Sequence, residues 1–424
     1  MTSPARDTGM KIAYLSKEMP FGATEAFILP EVADHLAAGW DVWLVPLSRA
    51  SMVHGQHLLD RTLAAPVVSP GVLGGALAEA ARRPWRALTT LMTVLRAPSP
   101  ALALRNAAVF PKGLWLARQL RRRGFDHVHI HWIAAPATMG VVAARMAGLS
   151  YSITAHRYDI AQRNLVGWKA EGARFVRAID APGASELAAQ FRPGTPAPRV
   201  LHMGVTVPPV PATPRTGALP ELRVATAARL VDKKGHVYLI EALRLARDRG
   251  QRVRLDVFGD GPLGPSLREQ AERLGIADQI EWHGVTAHDA LLQALLSGRY
   301  DASVLASVTA ADGDKEGIPV FLIESMGAGL PVVTTANGGI AELAGDGCGL
   351  MVPERDAGAI ADALVTLGKD DTLRDTLAAR GRERVLSEFE IGACMAEFRS
   401  LVRAGTSATS NPDQTLDSVC SVAG

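Results

Sequence analysis

Five prolines fall within the sixteen residues Thr206–Glu221 (TVPPVPATPRTGALPE), and the same pattern runs on either side of them. Proline fixes φ and lacks an N–H, so this stretch forms neither a helix nor a central strand and reads as a semi-rigid connector. Before it, short apolar runs at Lys11–Ser16, Asp41–Leu47, His127–Trp132, Tyr151–His156, Phe175–Asp180 and Arg199–Gly204 alternate with helix-period stretches such as Ala137–Ala147 and Ala184–Phe191. After it the alternation restarts. Strands are expected at Leu222–Leu230, Val253–Gly259, Ile280–Gly284, Ala302–Ser307, Pro331–Ala336 and Gly349–Val352. Helices are expected at His236–Arg249, Leu263–Leu274, His288–Leu296 and Pro319–Ala328, from about Asp356, and as one terminal helix over Thr372–Phe398. Strands alternating with helices of this length predict parallel sheets covered on both faces. The expected fold is α/β: two doubly wound, Rossmann-like domains over residues 1–205 and 222–385, joined by 206–221. The Ser/Thr-rich stretch 404–424 reads as a disordered tail.

A chain of 424 residues exceeds one ordinary core, and 48% hydrophobic with 21% charged residues excludes a mainly disordered or coiled-coil chain. Three cysteines, Cys348, Cys394 and Cys420, are too few for a disulfide scaffold or a zinc ribbon and fit a cytoplasmic protein. The opening MTSPARDTG lacks the order of segments of a secretory signal. No run of about 18 apolar residues predicts a membrane span. The first strand–turn–helix, SKEMPFGATEAF, has no G-x-G-x-x-G, and no G-x-x-x-x-G-K-[ST] occurs. Hydride-transfer enzymes and P-loop nucleotidases are thereby disfavoured.

Loops at the carboxyl ends of strands should hold the chemistry. In EGIPVFLIESMGAGLPVVTT, Glu324 is the only charge from Gly317 to Thr335. A carboxylate in such surroundings needs a partner, and ribose or sugar hydroxyls are suitable donors. Glu316 lies eight residues earlier. The helix start just after Gly317, where Ile318 precedes Pro319 at a good first helical position, offers free backbone N–H groups and a positive dipole end to a phosphate. The plain alternative is a structural acceptor and a helix-start charge. In RLVDKKGH, Arg229, Lys233 and Lys234 follow a strand and suit a diphosphate, or else form a solvated turn. Gly259 and Gly261 of GDGP allow close backbone approach to a ligand, as does Gly22 in the first loop. His156, in TAHRYD, could meet a sugar hydroxyl or serve structurally. His127, His129 and His131 share one strand face, without the carboxylate or thiolate company a metal site wants.

Together these pieces resemble the retaining GT-B glycosyltransferases of family four, over about residues 10–400. Glu316 and Glu324 resemble that family's E-x7-E pair, and Arg229 and Lys234 its diphosphate-binding cations. Gly259–Pro262 resembles its G-x-G-P turn and Asn337–Glu342 its Gly-Gly-Ile-x-Glu segment. PFGATEAFI, TAHRYDI and DGDKEGIP are similar to the exopolysaccharide, colanic-acid-type branch; the usual double glycine of the first loop is reduced to Gly22. The resemblance implies a cleft between the two domains, a terminal helix over 386–403 crossing back, and sugar transfer from a nucleotide-diphosphate sugar with retention. It implies that Glu324 binds ribose and Glu316 the donor sugar. Arg229 and Lys234 would neutralise the leaving diphosphate, and His156 would contact an outer sugar hydroxyl. No metal or other cofactor is implied, the nucleotide sugar being a co-substrate.

The expected acceptor is a glycan or lipid-linked oligosaccharide. The alternatives are a small soluble acceptor such as an aminocyclitol, or a nucleotide-sugar-binding protein without turnover. Residues 1–205 carry a balance of +10 and the remainder −8, and Arg82–Arg123 holds ten basic residues and no acid. That segment, with Trp85, Phe110 and Trp115, is expected to dock on an anionic membrane surface, making the protein cytoplasmic or peripheral on the inner face. A nucleic-acid partner is not expected, because the usual aromatic interleaving and motifs are missing.

Overall fold

The computed structural model describes residues 9–22, 25–50, 55–207 and 216–404. Most of the proline-rich connector (208–215), the opening residues 1–8 and the tail beyond 404, with Cys420, lie outside the described residues.

Two six-stranded sheets form, parallel throughout. The first runs β2-β1-β3-β4-β5-β6, with β1 Lys11–Ser16, β2 Asp41–Pro46, β3 His127–His131, β4 Ser150–Ala155, β5 Val176–Ala178 and β6 Arg199–Val200. The second runs β12-β11-β10-β7-β8-β9, with β7 Glu221–Ala227, β8 Arg252–Phe258, β9 Ile280–Gly284, β10 Ala302–Leu305, β11 Val332–Thr335 and β12 Leu350–Val352. The strand order of the second sheet reverses between β7 and β10. Ligands of doubly wound sheets bind at such a switch point, outside the carboxyl ends of the strands.

The period of two in the strands accounts for the layers. In β1, Ala13 and Leu15 enter the core under helices Pro100–Arg122 and Ala135–Ala147, whereas Ile12 and Tyr14 enter the one on the other face. Helix Ala135–Ala147 lies so close to its sheet that a Cβ on Gly140 would stand 2.7 Å from Ile130. The opposite face is closed by helix Leu29–Ala37 and by the last helix, Ile391–Arg403, whose Met395 and Phe398 are fully buried there.

The expected strands and helices appear, mostly shortened by a residue or two at their ends. Two expectations need correction. Thr372–Phe398 is two helices, Asp371–Glu388 and Ile391–Arg403, because Glu390 turns extended and caps the second by accepting the Ala393 N–H. Pro319 is the residue capping helix Val320–Gly327 rather than its first turn.

The basic segment forms helices Pro84–Leu95 and Pro100–Arg122. Its ten cations are not all at the surface. Lys112 is fully buried and donates to the Pro46, Leu47 and Ala65 carbonyls at 2.7–2.8 Å, burial lowering its pKa to about 8. Arg121 is held by the buried Glu79. Phe110 is buried and Trp115 packs against Gly75, which leaves Trp85 as the exposed aromatic of the three.

Candidate active site

The loop after β7 runs from Ala228 to Gly235 at the switch point. Gly235 has φ +65°, and a Cβ there would stand 1.8 Å from the Ala306 carbonyl just past β10. Only glycine permits that approach. The Val308 N–H also bonds the Lys233 carbonyl at 2.8 Å, so the ends of β7 and β10 are stitched together. Lys233 pairs with Asp314 at 2.7 Å and faces away from the role of a free cation. Lys234 Nζ stands 2.8 Å from Glu316 Oε1. The contact is an ion pair without hydrogen-bond geometry, and Oε1 has no hydrogen-bond donor among the described residues. Arg229 is exposed and has no side-chain partner among the described residues.

The glycines of the GDGP turn are required by close backbone approach to the neighbouring loop. A Cβ on Gly259, at φ +126°, would lie 2.1 Å from the Ala228 carbonyl, and one on Gly261 2.5 Å from the Leu230 carbonyl. The Leu230 N–H bonds the Asp260 carbonyl and the Leu263 N–H bonds the Leu230 carbonyl. These glycines let the loop after β8 clasp the loop that carries Arg229.

Glu316 is fixed from below. Its N–H donates to Asn337 Oδ1 at 2.7 Å, and Asn337 Nδ2 donates to Glu354 Oε1 at 2.7 Å and Thr309 Oγ1 at 3.1 Å. Gly338, at φ +59°, would put a Cβ 1.8 Å from the Glu316 carbonyl. Hydrogen bonds from Thr309 and Asn337 outweigh burial and hold Glu354 below the usual carboxylate range.

Glu324, on helix Val320–Gly327, is 7% exposed. Its carboxylate meets His288 Nε2 at 2.5 Å. That bond raises the His288 pKa above its ordinary value. The sequence showed that Glu324 needs a partner but did not show which; His288 opens helix His288–Leu296, 36 positions earlier. Glu354 and Thr309 were missed too, since each acts only through Asn337.

On the first sheet, His156 Nε2 lies 2.7 Å from His131 Nε2, and Asp159 accepts the His156 N–H. Trp132 and Phe27 pack around the imidazole, with ring centroids at 4.4 and 5.7 Å. Tyr14 OH is 3.3 Å from His131 Nδ1 and donates to Glu31 at 2.6 Å, and Glu31 pairs with the buried Arg177 at 2.7 Å. Burial holds both His131 and His156 well below the ordinary histidine value. His127 and His129 are bonded to Ser150, Ser152 and Thr154 of β4, a structural use of that strand face. Gly22, at φ +76°, lies in the loop after β1, where a Cβ would meet the Glu18 carboxylate at 2.5 Å.

The two halves touch at the Glu316 loop. A Cβ on Gly317 would stand 3.0 Å from Ile179, and one on Gly339 2.8 Å from Asp180, both just past β5. Glu342 Oε1 accepts the Ala181 N–H at 2.8 Å across the same seam. The structure thus gathers Lys234, Glu316, Gly317, Ile318 and Pro319 at the switch point, with Glu324 in the helix behind them. Ile179 and Asp180 of the other half lie against this loop.

The family profile described as glycosyl transferases group 1 matches residues 218–384. Over 420 residues the chain is 28% identical to the colanic acid biosynthesis glycosyltransferase WcaL of Salmonella typhimurium, covering 93% of this chain and 100% of that protein. The Escherichia coli WcaL is 38% identical over 210 residues, 48% of this chain and 50% of its own length. The amylovoran biosynthesis glycosyltransferase AmsK of Erwinia amylovora is 27% identical over 407 residues, covering 88% and 95%. The Anabaena protein HepE, solved with UDP and glucose, superposes with a TM-score of 0.65 at 16% identity, over 93% of this chain and all of its own. Its likeness is one of fold, the two facing Rossmann-like domains of GT-B. Residues 218–384 are a group 1 glycosyl transferase domain, and the chain is homologous to the colanic acid and amylovoran biosynthesis glycosyltransferases.

Proposed function

We propose that the protein transfers a sugar, with retention, from a nucleotide-diphosphate sugar to a hydroxyl of a lipid-linked oligosaccharide in exopolysaccharide synthesis, at the inner face of the membrane. The observation that carries the reading is the Lys234–Glu316 pair at the switch point, 2.8 Å apart, with Arg229 exposed in the same loop and without a side-chain partner among the described residues. A diphosphate entering there offers Arg229 an opposite charge and takes the place of Glu316 as the partner of Lys234, so that Glu316 is released to accept donor-sugar hydroxyls. Glu324 exchanges His288 for the ribose. In the transfer, the bond from the anomeric carbon to the diphosphate oxygen breaks and the bond to the acceptor oxygen forms on the same face. The acceptor's proton passes to the leaving phosphate. Fixed cations stabilise the charge that develops on the leaving group, so this reading requires no metal cofactor.

The test is a panel of nucleotide-diphosphate sugars. The true donor should raise the melting temperature most by mass action. NMR of the product formed in EDTA should show the anomeric configuration of the donor. An inverted product would overturn retention, and a strict Mg²⁺ requirement would overturn the metal-free reading.

A further inference from the structure

Helix Pro84–Leu95 packs on its neighbours through Ala87 and Val94, and its other face has no partner among the described residues. Trp85, Leu88, Met92 and Leu95 are 77, 48, 50 and 43% exposed. Their spacing of three, four and three places them in one stripe. Arg82 and Arg86 flank one end and Arg96 the other, all exposed. The only acid between Arg61 and Arg123 is Glu79, buried against Arg121. The stripe is therefore apolar with an uncompensated cationic border.

At the Arg96 end the stripe runs into a pocket of about 390 Å³, lined by Arg96, Arg163, Arg192, Leu165 and Trp168 among others. Arg192 pairs with Glu171 at 2.7 Å, while Arg96 and Arg163 have no side-chain partner among the described residues. The pocket is built rather than incidental. Arg163 and Leu165 both take left-handed φ, +51° and +55°, which side chains disfavour. Between them the buried Asn164 exchanges two amide hydrogen bonds with the buried Asn106, at 2.9 and 3.0 Å. Asn106 in turn donates to the Val94 carbonyl, near the end of the apolar helix. One amide pair thus locks the strained Arg163 loop to the stripe. Backbone strain held in this way directs attention to function.

We infer that this pocket binds the phosphate of an anionic phospholipid headgroup while the Trp85–Leu95 stripe lies in the acyl boundary, docking the first domain on the membrane. Charge and shape both favour that occupant. Guanidinium forks match phosphate oxygens, and an apolar stripe bordered by arginines suits the interface. The inference rests on the membrane-surface reading above and gives it an address different from the Arg118–Arg123 end, where Arg121 is already paired.

The experiment is flotation of the full chain with vesicles of phosphatidylcholine alone or mixed with phosphatidylglycerol. It compares wild type, R96S/R163S, W85S/L88S/M92S and R122S/R123S. Nucleotide release from the donor without vesicles is measured on each protein, which separates failure of docking from failure of the transferase reading. Wild type should float only with phosphatidylglycerol, and less at high salt. The first two variants should lose at least tenfold in apparent affinity with unchanged melting temperature and nucleotide release, and R122S/R123S should lose less than threefold. Wild-type flotation by R96S/R163S, a larger loss in R122S/R123S, or equal binding to neutral vesicles would each overturn the assignment.

Discussion

His131 and His156 face each other Nε2 to Nε2 at 2.7 Å, the one ending β3 and the other just past the neighbouring β4. Two ring nitrogens at that distance must be one donor and one acceptor. The network assigns them. Tyr14 gives its proton to Glu31, so its oxygen accepts from His131 Nδ1–H. Burial keeps His131 neutral, and its Nε2 must then accept from His156 Nε2–H. The Glu31–Arg177 pair thereby sets the tautomer of a histidine two residues removed, with His156 Nδ1 left as an acceptor.

Tyr14→Phe should remove that instruction while keeping the ring in place. ¹⁵N spectra should show His156 losing its single tautomer, and transfer should slow by about tenfold. Nucleoside-diphosphate affinity should stay within twofold. An unchanged tautomer would sink the relay.

Glu316→Gln and Glu324→Gln should each lower turnover by on the order of a hundredfold, about 2–4 kcal/mol of transition-state stabilisation. Both remain foldable, since Glu316 is anchored through its backbone N–H. Wild-type turnover by either purified variant would remove that residue from the site.

Arg229→Ala and Lys234→Ala should weaken a nucleoside diphosphate more than the free nucleoside, because only the former presents the matching charge. Calorimetric titration with both ligands reads the difference; equal losses would place the cations away from the phosphates.

The bond to Glu324 raises the His288 pKa above 6.5 in the folded chain. The unfolded chain binds fewer protons between those two values. The stabilisation from the pair is therefore full below pH 6.5 and is lost as pH rises through the raised pKa. Comparing denaturant midpoints of wild type and His288→Gln across pH 5.5–9 should show the gap narrowing upward. NMR titration of His288 should return toward 6.5 in Glu324→Gln.

Gly338→Ala should destabilise the chain by about 1–3 kcal/mol, since the new methyl collides with the Glu316 carbonyl at a left-handed φ. Gly313→Ala, also left-handed but with nothing within 4 Å, should cost less than Gly338→Ala. Matching thermal shifts would show that the Glu316 loop can relax.

What was legible beforehand follows the range of the interaction. Strand period, helix period and the proline connector are local, and they located both sheets. Glu324 stood out because it is a lone charge in an apolar run that must compensate it, Glu316 because it precedes a helix start, and Lys234 because it follows a strand among other cations. The partners His288, Asn337–Glu354 and Asn106–Asn164 were not legible as partners, because strand order decides which distant loops meet. Lys112 shows the converse: a lysine in a basic run reads as surface, yet three carbonyls from two other segments take it inside. For a similar reason the neighbouring loop that the GDGP glycines approach was not legible either.

The Glu342–Ala181 hydrogen bond bridges the seam between the halves. It makes one backbone amide a reporter of cleft opening. That N–H is shielded only while the second half is seated against the first, so its deuterium exchange should track opening rather than unfolding of either sheet. A ligand that closes the cleft should slow it while leaving amides at the centre of β1 unaffected. The chain therefore carries a clock for its own breathing, readable by solvent exchange without an attached dye.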